Sequence, residues 1–332
     1  MNNPMTQHLY MMDHFSRRSA YKEGEDFVQW QKRSRKKVWD LLGMDTFELC
    51  EENFEIEWTH DENDFVEYRI QFNTETKYRT RAHLLIPKGV REPIPVMICL
   101  EGHNMGMHVA MGRRKFSFEK VDEGDRDFAI QSIENGYAAL VLEQRAFGEC
   151  GGGENGPECV SPAMTALLLG RTLVGERVWD VMRAIDMLRK HFPQLDEHRT
   201  GLMGHSGGGT TTLYAAALDE RIDAAMCICY FCGFKESIGE LKHCTCNYVP
   251  GIMKYFDMGD IGGLVAPRPL LIVNGSDDHI FPIEASKREY GMLEKLYRVA
   301  GAEGKCAHVI GKGGHRAYKA DSWPVFNRIN GF

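Results

Sequence analysis

A serine surrounded by glycines is the first candidate for chemistry in this chain. Residues 201–209 read GLMGHSGGG, so Ser206 lies in the pattern G-x-S-x-G, after an apolar run and before the helical stretch TTTLYAAALDE. A strand, a tight turn and a helix in this order form a nucleophile elbow, where the serine lies on a strained turn between small neighbours. The backbone N–H of Gly207, at the start of the helix, would face a developing oxyanion. We interpret Ser206 as a nucleophile and Gly207 as an oxyanion donor, in preference to a glycine-rich turn without chemistry.

A nucleophilic serine needs a base, and the base needs an acid that orients it. In enzymes with a nucleophile elbow these partners follow the serine in the order acid, then histidine, each after a later strand. The apolar run PLLIVNG at 269–275 predicts such a strand, and it continues into SDDHIFP. Asp278 stands three residues after Gly275 and four before Pro282, so we predict that Asp278 is the acid. Asp277 is the alternative, which we interpret as a capping residue.

One of the 13 histidines has both the position and the context of the base. His315, in GKGGHRAY, follows the last predicted strand on a tight loop made by two glycines. His205 adjoins the serine and cannot easily turn to deprotonate it, and His279 adjoins the acid. We predict that His315 removes the proton of Ser206, that Ser206 attacks an ester carbonyl, and that Asp278 holds the tautomer of the imidazole.

The second oxyanion donor is expected in the loop that follows the apolar run PVMICL at 95–100. This run continues into EGHNMGMH, and the backbone N–H of His103 is our candidate, with Asn104 as the alternative. A metal site that includes His108 is another interpretation of the loop. Its spacing matches no helical zinc pattern, so we predict no metal here.

Five cysteines lie close together in the sequence beside His243, namely Cys227, Cys229, Cys232, Cys244 and Cys246. A zinc site is one interpretation, but CICYFC resembles the end of a buried strand, and C-x-C spacing suits a structural zinc site poorly. We therefore interpret the five as packed thiols. A contact or a disulfide between Cys244 and Cys246 is the lesser alternative.

The elements that must position these residues follow from the apolar pattern. After residue 93, continuous apolar runs alternate with helical segments, which is typical of parallel strands covered on both faces. Residues 54–86 alternate in polarity and predict antiparallel strands at the edge of the sheet. We predict a doubly wound α/β fold, as a single domain over residues 1–332. A helical extension would cover about residues 1–50, and a lid would be inserted at about residues 233–265.

The charge and composition of the chain argue against nucleic acid and membranes as partners. The formal net charge is −7 and the basic residues are scattered, so we expect no nucleic-acid partner. No segment approaches the roughly 20 apolar residues that span a bilayer, so we expect no membrane partner. The N-terminus has no basic start followed by an apolar core, and most of the ten cysteines lie in apolar runs. These features predict a cytoplasmic protein with buried free thiols.

Taken together, these motifs resemble those of the α/β-hydrolase superfamily. Within it, the chain is similar to the acetyl xylan esterase and cephalosporin-C deacetylase-like group, which is related to the dienelactone hydrolases. The resemblance runs from about residue 77 to the C-terminus and rests on LLIPKG, EGH, QRAFGE, ERVWDVMRAIDMLR, GHSGGG, APRPLLIVNGSDDHIFP and GGHR. One departure is Glu101, which stands where members usually carry a histidine. The resemblance implies an α/β-hydrolase fold and a serine hydrolase of carboxylic esters, acting on a short-chain ester or an acetylated carbohydrate. It implies no metal and no organic cofactor.

Three alternatives use the same residues differently. An amidase, a peptidase or a carbon–carbon bond hydrolase could employ the same triad. A non-catalytic binding protein on this scaffold is disfavoured because Ser206, Asp278 and His315 are all present. A nucleotide-binding protein is disfavoured because the chain lacks both G-x-G-x-x-G and the P-loop lysine.

Overall fold

Nine strands form one sheet in residues 3–121 and 123–331, the part of the chain that the computed structural model describes. The strands are β1 (Glu55–Asp61), β2 (Phe65–Glu75), β3 (Tyr78–Pro87), β4 (Ile94–Leu100), β5 (Ala138–Leu142), β6 (Leu195–His205), β7 (Ala224–Ile228), β8 (Leu270–Gly275) and β9 (Cys306–Gly311). The helices are α1 (Pro4–His14), α2 (Phe27–Leu42), α3 (Phe128–Glu134), α4 (Val160–Leu168), α5 (Leu173–His191), α6 (Gly207–Leu218), α7 (Met258–Gly263), α8 (Ile283–Val299) and α9 (Lys319–Asn330).

The order of strands in the sheet is β1-β2-β3-β5-β4-β6-β7-β8-β9. The pairs β1–β2, β2–β3 and β3–β5 are antiparallel, and every pair from β5–β4 to β8–β9 is parallel. The structure therefore confirms the predicted α/β fold, with a mostly parallel sheet and antiparallel N-terminal edge strands. The edge strand β1, EIEWTHD, is exposed along its whole length, and its charged side chains protect the open edge from further pairing.

The two faces of the sheet are buried under different helices. In β4, Val96, Ile98 and Leu100 belong to a core shared with α2, α5 and α6, whereas Met97 and Cys99 belong to a core shared with α3 and α9. Side chains alternate between the faces of a strand, so both sets must be apolar when helices cover both faces. This is why the strands read as continuous apolar runs in the sequence.

The longest of these helices, α5, packs against one face of the sheet. Its residues from Val174 to Leu188 bury an apolar face, and it ends at His191, before Pro193. Within residues 3–121 and 123–331, no helix has both the length and the apolar character that a bilayer crossing requires.

The connection from β7 to β8 contains the segment 233–265. It is built from short helical turns at Lys235–Gly239, Thr245–Asn247 and Ile252–Lys254, followed by α7. Its wall towards the carboxyl ends of the strands includes Lys242, His243, Cys244 and Asn247, which line the same cavity as Ser206. That this segment acts as a lid remains a prediction.

Three carboxyl groups meet where α7 packs against α8: Asp260 and Glu289 are buried, and Asp257 is half-buried. Two arginines pair with them. Arg17 is 3.5 Å from Asp260 Oδ2 and 3.7 Å from Glu289 Oε2, and Nε of the exposed Arg288 is 3.2 Å from Glu289 Oε1. Burial, followed by repulsion from Asp257, raises the pKa of Glu289 from 4.5 to about 7. Burial likewise raises the pKa of Asp260 to about 6. The folded chain therefore holds protons here that the unfolded chain releases.

We expect this site to make stability depend on pH. Because the folded pKa of Glu289 lies above its unfolded value, its contribution is fully present below about pH 4.5 and is lost as the pH rises through about 7. The free energy of unfolding of Glu289→Gln, measured by urea denaturation, should therefore depend less steeply on pH in this window. The control is Glu284→Gln on the exposed side of the same helix, which should retain the wild-type slope. Equal slopes in the two variants would contradict the prediction.

Candidate active site

Ser206 lies on a strained turn between β6 and α6. Its backbone angles are φ 55° and ψ −112°, and a positive φ is rare for a residue with a side chain. Its N–H donates to the carbonyl oxygen of Ile228 at 2.8 Å, which ties the turn to the end of β7. This is the strand–turn–helix geometry that the sequence predicts for GLMGHSGGG.

The glycines around Ser206 permit close approach between backbone segments. A Cβ atom on Gly208 would lie 2.3 Å from the carbonyl oxygen of Leu100, and one on Gly204 would lie 2.4 Å from that of Gly208. A Cβ atom on Gly209 would lie 2.7 Å from the carbonyl oxygen of Ile228. The start of α6 therefore packs against the ends of β4 and β7 at a distance that only glycine allows.

Asp278 and His315 form the second part of the site. They follow β8 and β9, and Nδ1 of His315 is 2.7 Å from Oδ2 of Asp278. The other carboxylate oxygen, Oδ1, accepts the N–H of Ile280 at 2.9 Å and that of Phe281 at 3.3 Å. Burial alone would raise the pKa of Asp278, but its hydrogen bond with His315, the charge of His315 and these two N–H groups hold the pKa below its usual value. Asp278 is therefore ionised at neutral pH.

The neighbouring aspartate is placed differently. Asp277 is exposed, and its backbone N–H donates to the carbonyl oxygen of Gly313 at 2.8 Å. Asp278, in contrast, is buried against His315. The structure thus brings Asp278 and not Asp277 to the histidine.

One cavity of about 970 Å³ brings Ser206, His315 and His103 together. Its lining also carries many polar side chains, namely Asn104, Glu123, Arg126, Lys242, His243, Asn247 and Arg316, beside apolar ones such as Ile280 and Phe281. A cavity that combines a nucleophile with many hydrogen-bonding groups suits a polar organic substrate.

His205, the residue before the serine, is buried against His315. Their ring centroids are 4.5 Å apart. Burial, and then the charges of His315 and Arg126, lower the pKa of His205 well below its usual value. Full burial and the lowered pKa favour a neutral imidazole at His205, and that His315 and not His205 is the base remains a prediction.

The two predicted oxyanion donors lie next to each other. The N–H of Gly207 is in the first turn of α6, where no intrahelical acceptor exists. The ring of His103 packs directly against Gly207, because a Cβ atom on Gly207 would lie only 2.7 Å from Cε1 of His103. The structure brings these residues together at the serine, and their role as donors remains a prediction.

The loop that carries His103 is supported by a buried pair of carboxyl groups that the sequence did not reveal. Glu143 Oε1 accepts the N–H of Met107 at 3.0 Å, and its Oε2 accepts the N–H of Glu149 at 3.2 Å. Burial raises the pKa of Glu143 to about 7, and burial followed by the charge of Glu143 raises the pKa of Glu101 well above its usual value. Glu101, the residue at which the chain departs from the resemblance, is buried near the carboxyl group of Glu143.

His108 lies apart from the serine, paired with Glu119 at 2.6 Å between Nε2 and Oε1. In the described part of the chain, no group of three or more potential metal ligands includes His108.

The five cysteines between residues 227 and 246 lie in two separate places in the structure. Cys227, Cys229 and Cys232 are buried at the end of β7 and beyond, whereas Cys244 and Cys246 lie beside the cavity. There they lie close to Cys159, which precedes α4, and to the ring of His103. One ring nitrogen of His103 and the Sγ atoms of the three cysteines, each able to bind a metal ion, all lie within 4.8 Å of one another. All ten cysteines of the chain are free thiols. No local sequence pattern indicates this cluster, because Cys159 is distant from Cys244 and Cys246 in the chain.

A family model and a curated relative each match most of the chain. The model of a family described as acetyl xylan esterase (AXE1) matches residues 13–261. YtaP of Bacillus subtilis (strain 168), which is named as a hydrolase, is 26% identical over 285 residues, covering 83% of this chain and 90% of its own.

Two solved structures show the same α/β-hydrolase fold. One, from Bacteroides fragilis NCTC 9343, carries the name of an acetyl xylan esterase; it has a TM-score of 0.79 at 18% identity and covers 98% of this chain and 84% of its own. The other is the glucuronoyl esterase of Solibacter usitatus, with a TM-score of 0.70 at 16% identity, covering 94% of this chain and 96% of its own.

Proposed function

The chain belongs to the acetyl xylan esterase family, and from that premise we propose that it is a serine esterase that removes short acyl groups, acetyl above all, from carbohydrates. One observation carries the proposal. A serine on a strained strand–helix turn shares a cavity with a histidine that is hydrogen-bonded to a buried aspartate. These are the parts that nucleophilic acyl transfer requires.

In the proposed first half-reaction, Ser206 Oγ attacks the ester carbonyl carbon and its proton passes to Nε2 of His315. Nδ1–H of His315 donates to Asp278, which leaves the lone pair of Nε2 available and stabilises the imidazolium that forms. The N–H groups of Gly207 and His103 stabilise the negative oxygen of the tetrahedral intermediate. Collapse of this intermediate breaks the carbon–oxygen bond, and the leaving alcohol takes the proton from His315.

In the second half-reaction, water replaces the alcohol. His315 removes a proton from water, which attacks the acyl carbonyl, and collapse returns that proton to Ser206 Oγ. The carboxylic acid leaves and the free enzyme is restored. The position of Gly207 at the start of α6 adds the positive end of the helix dipole to the stabilisation of both tetrahedral intermediates.

The cavity supports a carbohydrate as the alcohol part of the ester. His103, Asn104, His243 and Asn247 offer donors and acceptors along its wall, and Lys242 is exposed at the same wall. Sugar hydroxyl groups can exchange their hydrogen bonds with water for bonds to such groups. We further propose that the protein works in the cytoplasm, because its ten cysteines are free and three thiols lie close together without a disulfide.

A substrate panel tests the proposal. We expect kcat/KM for p-nitrophenyl acetate to exceed that for the butyrate ester by about tenfold or more, because a pocket fitted to acetyl must expand for each added methylene. Acetylated xylo-oligosaccharides should release acetate, and a p-nitroanilide peptide should not be cleaved. A preference for longer acyl chains, for the peptide, or for the methyl ester of glucuronic acid would contradict the acetylesterase assignment.

A further inference from the structure

Four metal-ligating side chains meet beside the cavity and outside the proposed triad. A ring nitrogen of His103 and the Sγ atoms of Cys159, Cys244 and Cys246 all lie within 4.8 Å of one another. Nε2 of His103 is 3.1 Å from Sγ of Cys246. In tetrahedral zinc sites, with bonds of about 2.3 Å to sulfur and about 2.0 Å to nitrogen, the ligand atoms stand roughly 3.5–3.8 Å apart. We propose that these four residues form a Cys₃His zinc site.

The charge around the cluster supports thiolate ligands. Arg177 is buried, and its guanidinium donates to the carbonyl oxygen of Arg145 and to Sγ of Cys159, the latter at 3.3 Å. In the described part of the chain no carboxylate forms an ion pair with Arg177, although a buried cation is costly without a partner of opposite charge. Zinc with three thiolates and one neutral imidazole carries a net charge of −1, which the charge of Arg177 would neutralise.

The surroundings of the cluster fit a structural site. Phe147, Ala163 and Leu173 pack around Cys159 and Cys246 as a small apolar core. Such a shell excludes water and strengthens the bonds between a metal ion and charged ligands. His103 and Cys244 line the cavity, so an ion can reach the site from solvent.

The choice of zinc follows from the donor set. Three thiols and one imidazole are soft to intermediate donors, and they match a known class of tetrahedral zinc sites. Binding is balanced without any oxidant: each thiol loses one proton to solvent, and the imidazole donates the lone pair of its Nε2 atom. Because the protein fills all four positions, the ion would not bind water or substrate.

The position of the site indicates what it does. Cys159 lies before α4, His103 lies in the loop after β4, and Cys244 and Cys246 lie in the connection from β7 to β8. One ion would therefore join three loops around the cavity. It would also fix His103, whose backbone N–H is the proposed second oxyanion donor.

Zinc binding by the purified full-length chain tests the inference. The protein is reduced, treated with a chelator, incubated with zinc chloride and desalted, and its metal content is measured. We expect one zinc ion per wild-type chain. The Cys50→Ser variant is the control, because it removes a thiol outside the cluster, and it should also bind one zinc ion per chain. Cys246→Ser should lose at least about tenfold in zinc affinity. With cobalt in place of zinc, the wild type should show the visible absorption of a tetrahedral thiolate complex.

A second measurement on the wild type does not depend on any variant folding correctly. Cys50 and Cys244 are both partly exposed, so alkylation and mass spectrometry can follow both thiols in one sample. Zinc should protect Cys244 and leave the alkylation of Cys50 unchanged. Absence of bound zinc, equal protection of the two thiols, or a disulfide among Cys159, Cys244 and Cys246 in the chain as isolated would overturn the proposal.

Discussion

Ser206→Ala is expected to lower kcat for p-nitrophenyl acetate by about 10⁴-fold or more, because no other group in the proposed mechanism can form the acyl-enzyme. The serine is partly exposed in the cavity, and alanine retains the same backbone turn, so the melting temperature should stay at the wild-type value. Initial rates at saturating substrate and a thermal melt measure the two quantities. A fluorophosphonate probe should label the wild type and not this variant.

The control for this prediction is Ser117→Ala, which removes the hydroxyl of an exposed serine that does not line the cavity. It should retain wild-type turnover and probe labelling. If Ser206→Ala kept a tenth of the wild-type kcat, the serine would not be the nucleophile, and the acyl-enzyme mechanism would have to be abandoned.

Asp278→Asn should lower kcat by about 10⁴-fold, since an amide in place of the carboxylate favours the wrong tautomer of the histidine. In the folded chain, Oδ2 of Asp278 accepts the proton on Nδ1 of His315, whereas an asparagine can present its NH₂ group there and drive that proton to Nε2. With Nε2 protonated, His315 cannot accept the proton of Ser206. The loss should appear in kcat, because substrate binding does not involve this carboxylate.

Asp277→Asn is the matched control, because it makes the same chemical change one residue away. Asp277 is exposed, and its N–H contact to Gly313 involves only its backbone. We expect less than a twofold change in kcat for this variant. Comparable losses in the two variants would indicate a role for the whole loop, and a loss confined to Asp277→Asn would reverse the assignment.

The fold could be predicted well because its signals are local. Continuous apolar runs at 95–100, 138–142 and 269–275 became the buried strands β4, β5 and β8, as expected for strands covered on both faces. The run at 306–311 became β9, which lies at the edge of the sheet and is only partly buried. The candidate triad could be predicted because each member directly follows a strand, so the order along the chain also sets proximity in the sheet. The spacing from Gly275 and Pro282 was enough to prefer Asp278 over Asp277.

What the sequence did not reveal depends on contacts between distant segments. Cys159 joins Cys244 and Cys246 only because the loop before α4 folds against the connection from β7 to β8. The need for a third glycine after Ser206 also has a distant cause, since Gly209 approaches the carbonyl oxygen of Ile228 in β7. No local pattern encodes either contact.

The connection from β7 to β8 has a consequence for how this enzyme could acquire new substrates. It supplies Lys242, His243 and Asn247 to the cavity wall as one continuous stretch, while Ser206, Asp278 and His315 come from other loops. We therefore expect substrate preference and turnover to be encoded largely in separate stretches of the gene. A designed cassette that exchanges Lys242, His243 and Asn247 but keeps Cys244 and Cys246, the proposed zinc ligands that hold His103, could retarget the enzyme while leaving its chemical step untouched.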